Sequence, residues 1–215
     1  LFAAEKNYIP SWCEKTKKTV SNADLFLPLE PKSEFLTAPL VSKILPPADL
    51  KKLKYPEDKE ALGLAPRLFS GNFCDRHLEF EKAGSGLVYY VARINCKTAM
   101  KLKMLLGYDG PVKAWIDGKE SYLDPNGSNP AHVDEAKVAF DAAKGEHEIL
   151  VALDTNRGSA WGIFLRFERL DLPKNTKGKG IPWELLPSVI NEKLVSGVDE
   201  VSSMSARAVR SAKKK

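Results

Sequence analysis

The stretch GLVYYVARINC, Gly86 to Cys96, decides the fold. Val88, Tyr90, Ala92, Ile94 and Cys96 form one apolar row, and Leu87, Tyr89, Val91, Arg93 and Asn95 form a second, mixed row. A period of two is the signature of a β-strand, because successive side chains point to opposite faces of a sheet. The pattern recurs downstream. In AMKLKMLLG, Met100, Leu102, Met104 and Leu106 alternate with Lys101 and Lys103. In PVKAWIDGK, Val112, Ala114 and Ile116 oppose Lys113, Trp115 and Asp117, and Asp117-Gly118 is a hairpin signal because type I′ turns need positive φ. In HEILVALD, Ile149, Val151 and Leu153 share a face. In WGIFLRFER, Trp161, Ile163, Leu165 and Phe167 share one face and Phe164, Arg166 and Glu168 the other. Short strands at roughly ten-residue spacing, with turn chemistry between them, predict an all-β antiparallel sandwich or jelly roll over residues 67–172.

The flanks read differently. Eight of the 14 prolines (Pro10, Pro28, Pro31, Pro39, Pro46, Pro47, Pro56 and Pro66) fall within residues 1–66. Proline blocks helix interiors and removes a ladder donor, so an irregular arm is expected there. Its Leu25, Phe26, Leu27, Phe35 and Leu36 imply that it packs on the sandwich. Residues 173–215 read as a polar linker (KNTKGKG), a short amphipathic helix (PWELLPSVINEKLV) and a basic tail.

Composition bounds the function. The 215 residues, 43% hydrophobic and 28% charged, have a globular balance, and no apolar run reaches the ~18–20 residues of a membrane-spanning helix. The net charge of +5 comes from the tail. Ser205 to Lys215 holds Arg207, Arg210, Lys213, Lys214 and Lys215, and the rest of the chain has 28 basic and 28 acidic residues. A nucleic-acid-binding fold would carry its basic residues on a folded face, so no specific nucleic-acid binding is expected. Cys13, Cys74 and Cys96 lack Cys-x-x-Cys spacing, which argues against a zinc ribbon or a thioredoxin site; at most one disulfide is possible, by any of three pairings. The opening LFAA, without Met, reads as the start of a processed or excised chain, and an extracellular or periplasmic location is the expectation.

The segments GYDGPVKAWIDGKE (Gly107 to Glu120), NPAHVDEAKVAFDAAKGEHEILVALD (Asn129 to Asp154) and NRGSAWGIFLRFER (Asn156 to Arg169) resemble a galactose-binding-domain-like jelly roll. They are similar to the sugar-binding domains that accompany glycoside hydrolases and sialate O-acetylesterases. The resemblance implies a domain that binds a sugar, or braces a neighbouring catalytic domain, with any sugar site in loops at one end of the sandwich or on a concave face. It covers about 65 residues well and says nothing of residues 1–60 or 175–215. Fold alone does not give function.

A sugar offers apolar C–H faces to an aromatic ring and hydroxyls to oriented polar groups. Trp115 is a candidate stacking platform, unless the N-terminal arm covers its face. Asn156 and Arg157, in the loop DTNRGSAW, suit hydroxyl or carboxylate recognition. Trp161 is in phase with the core row and reads as a buried structural residue. Tyr108 and Asp109 are candidate contacts on the turn before the Trp115 strand, although Asp109-Gly110 also reads as turn chemistry. Asp75 and His77, in FCDRH, could form an acid–base pair but read as a surface pair. Asp124, Asn126, Ser128 and Glu135 stand at positions 1, 3, 5 and 12 of a calcium-loop spacing; structural calcium is the one alternative to no cofactor, against a plain polar loop interrupted by Pro125 and Pro130. No phosphate-loop, nucleophile-elbow or zinc-protease motif is present. The leading expectation is a non-catalytic carbohydrate-binding accessory module. The alternative is an interaction module that packs on a catalytic domain or partner subunit, and the third reading is an enzyme using Asp75 and His77 or a separate acid pair.

Overall fold

In the computed structural model, which describes residues 31–172 and 185–190, two antiparallel sheets pack face to face as an all-β sandwich. The larger sheet is built around β4 (Leu87–Cys96), β9 (Gly145–Asp154), β6 (Gly110–Ile116) and β7 (Lys119–Ser128), which neighbour one another in that order. It is extended past β4 by β1 (Leu40–Val41) and β2 (Ala65–Pro66), and β11 (Ser188–Val189) also pairs with β4. The smaller sheet runs β3 (Cys74–Asp75), β10 (Gly162–Arg169), β5 (Met100–Tyr108) and β8 (Ala136–Ala142). Residues 31–36 run beside β10 beyond β3: Ser33 N–H donates to the Phe167 carbonyl at 2.6 Å and Leu36 N–H to the Leu165 carbonyl at 2.7 Å.

The alternation read from the sequence sets the core. Val88, Tyr90, Ala92 and Ile94 of β4 and Ile149, Val151 and Leu153 of β9 meet Met100, Leu102, Met104 and Leu106 of β5 and Ile163, Leu165 and Phe167 of β10. The hairpin joining β6 to β7 turns at Asp117 and Gly118, whose φ values of 50° and 77° are those a type I′ turn requires.

The second rows of the larger sheet are buried too. Leu87, Tyr89, Val91, Trp115, Leu150 and Ala152 form a separate cluster with Leu50 and Leu62, flanked by Leu40, Leu45, Leu53, Tyr55 and Leu64. The chain between residues 40 and 64 therefore lies across the outside of this sheet. Lys113 fastens it: its ammonium, on a buried side chain, donates to the Leu53 carbonyl at 2.8 Å, pairs with Glu120 at 2.8 Å and lies over the Trp115 ring.

Two expectations are corrected. The short C-terminal helix does not form across Ser188 and Val189, which add a strand to β4. Pro187 pushes Leu186 away from the helical region, and β-branched Val189 and Ile190 suit an extended chain. The rest of that segment, like the basic tail and Cys13, lies outside the described residues. A helix unannounced by the strand pattern, α1 (His77–Ala83), follows β3.

Candidate functional site

The sequence candidates divide sharply. Trp115, 2% exposed, lies under the chain that crosses the larger sheet, with Tyr55 edge-on to its ring. It cannot act as a stacking platform, because both the sheet and the covering segment exclude ligand from its faces.

The other candidates converge on one end of the sandwich. Tyr108 ends β5, Asp109 and Gly110 turn into β6, and Asn156 and Arg157 lie in the short 3-10 turn between β9 and β10. The β5–β6 turn packs on the β9–β10 loop, where a Cβ at Gly110 would sit 3.0 Å from the Ala160 Cβ, and Asp109 N–H donates to the carbonyl of Gly162, at the start of β10, at 3.2 Å. Asn156 and Arg157 both adopt positive φ, 48° and 58°, and the Arg157 side chain is exposed while Asn156 is half-buried. Gly158 brings this loop against α1: a Cβ there would sit 2.8 Å from the Phe80 carbonyl, so only glycine allows the approach.

Tyr108 is buried and hydrogen-bonds the Tyr122 hydroxyl at 2.7 Å and Asp124 at 2.8 Å. Its phenol is pushed up, by burial first and then by Tyr122 and Asp124. It braces this end from inside. Asp109 is 5% exposed, one carboxylate oxygen has no hydrogen-bond partner, and burial raises its pKa. Neither side chain reaches the surface as a ligand contact would.

The calcium spacing is not realised. Asp124 already accepts from the Tyr108 hydroxyl and from the Asn126 and Gly127 amides, at 2.8, 3.0 and 3.1 Å. Burial works against its charge, but these donors hold its pKa below the ordinary value. Asp124, Asn126 and Ser128 belong to β7 rather than to a loop, and Glu135 is an exposed residue just before β8. Among the described residues no three His, Cys, Asp or Glu side chains come together as a metal-holding group.

The aromatic platform of this end is Trp161. It is 50% exposed, not buried as its phase with the core row implies. The strand begins one residue later, at Gly162, which pairs with Asp75 while Ile163 pairs with Cys74. The Trp161 carbonyl accepts from Arg76 N–H at 2.7 Å, and its ring turns outward onto His77, centroids 4.7 Å apart with 26° between planes. One face of the indole is thus occupied and the other is presented. His77 is fixed in turn: Asp75 lies 2.8 Å from its Nδ1 and accepts its backbone N–H at 2.9 Å.

Beside this stack lies a cavity of about 340 Å³ lined by residues that include Arg67, Phe69, Ser70, Phe73, His77 and Glu79. Arg67 and Arg76 both bond Glu79. Burial opposes the Glu79 charge, but the two guanidinium groups hold its pKa down to about 2. Among the described residues His77 hydrogen-bonds Asp75 and no serine or cysteine. Both described thiols are buried, and burial pushes Cys74 up to about 12 and Cys96 to about 11.

Sequence reasoning missed Trp161 and α1. The signal for the helix was present in DRHLEFEKAG, with an acid in the first turn (Glu79), a base in the last (Lys82) and Gly84 after it. With a helix placed there, β3 must stop at Asp75, and the strand partner of Trp161 disappears.

No protein-family model matches the chain, and no curated protein does. Solved structures give distant likenesses. A β-glucosidase from Kluyveromyces marxianus in complex with glucose aligns at 8% identity and a TM-score of 0.42, over 65% of this chain and 17% of that one. A PA14 sugar-binding domain from an RTX adhesin aligns at 13% identity and a TM-score of 0.31, over 40% of this chain and 47% of that one. An anti-sigma factor domain-containing protein from Clostridium clariflavum aligns at 14% identity and a TM-score of 0.38, over 65% of this chain and 46% of that one. The chain spans about a sixth of the length of the glucosidases it resembles. These likenesses are too remote to carry a site or an activity to this chain.

Proposed function

We propose that the chain is a non-catalytic carbohydrate-binding module of the galactose-binding-like, jelly-roll type, serving as an accessory part of a larger carbohydrate-active protein outside the cytoplasm. The observation that carries this reading is the half-exposed Trp161, stacked on His77, which itself lines a cavity with hydrogen-bonding side chains. An aromatic face next to oriented polar groups suits a pyranose, whose ring has an apolar side and a hydroxyl rim. Arg157 and Asn156, in the loop that leads into Trp161, are the proposed hydroxyl contacts from the other side. The site is open and shallow, so binding is weak, in the millimolar to high-micromolar range typical of little buried area.

A glycan array followed by NMR titration of the wild type, Trp161→Ala and Arg157→Ala tests this. Binding that Trp161→Ala abolishes and Arg157→Ala weakens is the expected result. No sugar response at millimolar ligand overturns the reading.

A second reading, a module that docks on a neighbouring domain without binding sugar, is favoured by Leu68 and Leu78, each 69% exposed on the rim of the same cavity. Exposed apolar side chains grouped around one groove mark contact surfaces.

A further inference from the structure

The stretch DPNGS, Asp124 to Ser128, does not form a calcium loop, but it carries a second motif. Of the nine asparagines in the chain, Asn126 alone is followed by a residue other than proline and then by a serine or threonine. Asn-x-Ser/Thr is the tripeptide that marks an asparagine for N-linked glycosylation, in chains that leave the cytoplasm and at positions on the surface. The tripeptide is short and recurs by chance, so the local structure must decide whether it can serve.

β7 is the last strand of its sheet, and it bulges here. Asp124 pairs with Val112 and Ser128 with Gly110, so Pro125, Asn126 and Gly127 stand against Pro111 alone. A bulge takes its extra residues out of the ladder. Asp124 and Gly127 build this one. A single Asp124 carboxylate oxygen accepts both the Asn126 and the Gly127 N–H, at 3.0 and 3.1 Å. Gly127 has a φ of 74°, and a Cβ there would lie 2.4 Å from the Gly110 carbonyl carbon and the Pro111 nitrogen. Turn chemistry therefore explains Asp124 and Gly127. It does not explain Asn126, which is exposed and whose carboxamide bonds nothing among the described residues. Ser128, at the third place, turns its hydroxyl to the Pro130 carbonyl at 3.1 Å, a local bond that does not tie it to the core.

We infer that Asn126 is an N-glycosylation site. The transferring enzyme reads the Ser128 hydroxyl in the extended chain before β7 joins the sheet, and the bulge leaves the attached sugar in solvent after folding. In the transfer, Asn126 Nδ2 forms a bond to the anomeric carbon of a lipid diphosphate-linked oligosaccharide. The bond from that carbon to the diphosphate oxygen breaks, the diphosphate leaves with the electron pair, and one Nδ2 proton is released. Gly110 lies against Gly127, and a Cβ on it would sit 3.6 Å from the Asn156 Cβ, so the glycan stands at the end of the sandwich that carries Asn156. The inference rests on the extracytoplasmic part of the reading above and not on sugar binding.

The test is intact-mass spectrometry of the full chain, purified from its own organism and fractionated by compartment, before and after digestion with peptide:N-glycosidase. A mass excess that the enzyme removes, with the Asn126 carboxamide converted to a carboxylate in the peptide map, is the expected result. In chains expressed in the same organism, Asn126→Gln and Ser128→Ala should each lose the excess entirely. Ser128→Thr, which keeps the hydroxyl, should retain it. Asn126→Gln alters an exposed side chain that bonds nothing among the described residues, and thermal melts check the Ser128 variants. An unmodified chain found outside the cytoplasm, or an excess that survives Asn126→Gln, overturns this inference and leaves the reading of location standing. An unmodified chain found in the cytoplasm overturns both.

Discussion

Trp161 and His77 stack ring on ring, and Asp75 holds His77 through both its imidazole and its amide. The indole is thereby oriented before any ligand arrives, which lowers the ordering cost of binding.

Trp161→Ala should therefore reduce sugar affinity by about tenfold or more, while unfolding free energy changes by only about 0.5 kcal/mol, as for a surface substitution. Chemical denaturation alongside titration checks both halves. Loss of several kcal/mol of stability would mean that the ring is a structural element instead.

Trp115→Ala should behave in the opposite way. The ring is buried between the larger sheet and the chain that crosses it, so truncation should cost about 3–5 kcal/mol. The remaining folded protein should bind sugar with unchanged affinity. A guanidinium melt reads the first effect and titration below the melting range the second.

Lys113→Met tests the fastening of the covering segment. The methionine keeps most of the apolar stem but leaves the Leu53 carbonyl without its donor and Glu120 without its partner. Because Glu120 is half exposed, water offsets its loss, and the cost should be about 1–3 kcal/mol from the carbonyl. Hydrogen exchange should show the segment around Leu53 opening more often than in the wild type, with the β5 and β10 amides unchanged.

His147 predicts a pH dependence. Burial alone would lower its pKa, but Asp117 at 2.6 Å from Nδ1 and the Ala143 carbonyl at 2.9 Å from Nε2 raise it. Both ring nitrogens face acceptors, which favours the doubly protonated ring. A raised folded pKa gives stability that is fully present below the unfolded value, about 6.5, and is lost as pH rises through the folded value. The melting-temperature deficit of His147→Gln relative to wild type should accordingly be larger near pH 5.5 than near pH 8.5 (both about one to two pH units from that value). An equal deficit at both would show that the ring contributes through packing alone.

The sequence was most legible where a strand has two neighbours and a buried face. Val88, Tyr90, Ile149 and Val151 declare their side of the sheet through period-two alternation, because a one-residue slip would turn each of them outward. The Asp117-Gly118 turn was legible because few residue pairs tolerate positive φ. The same alternation placed Trp115 on the second face, but phase tells which side a residue occupies and not what lies over it. That depends on contacts with Leu50 and Leu62, more than fifty residues earlier. Trp161 was misread for a related reason: phase extrapolates only while the strand continues, and here it begins at Gly162. The meeting of Tyr108, Asp109 and Asn156 at one end follows from antiparallel order, since the β5–β6 and β9–β10 connections both lie there.

The passage of residues 40–64 over the larger sheet has a practical consequence for anyone trimming the chain. A minimal fragment starting at residue 67 would lose β1 and β2 and uncover Leu87, Tyr89, Val91, Trp115 and Leu150 as a continuous greasy surface bordered by the stretch of β4 edge, at Tyr90 and Val91, that β1 covers. Such a fragment is a recipe for inclusion bodies, not a smaller working domain.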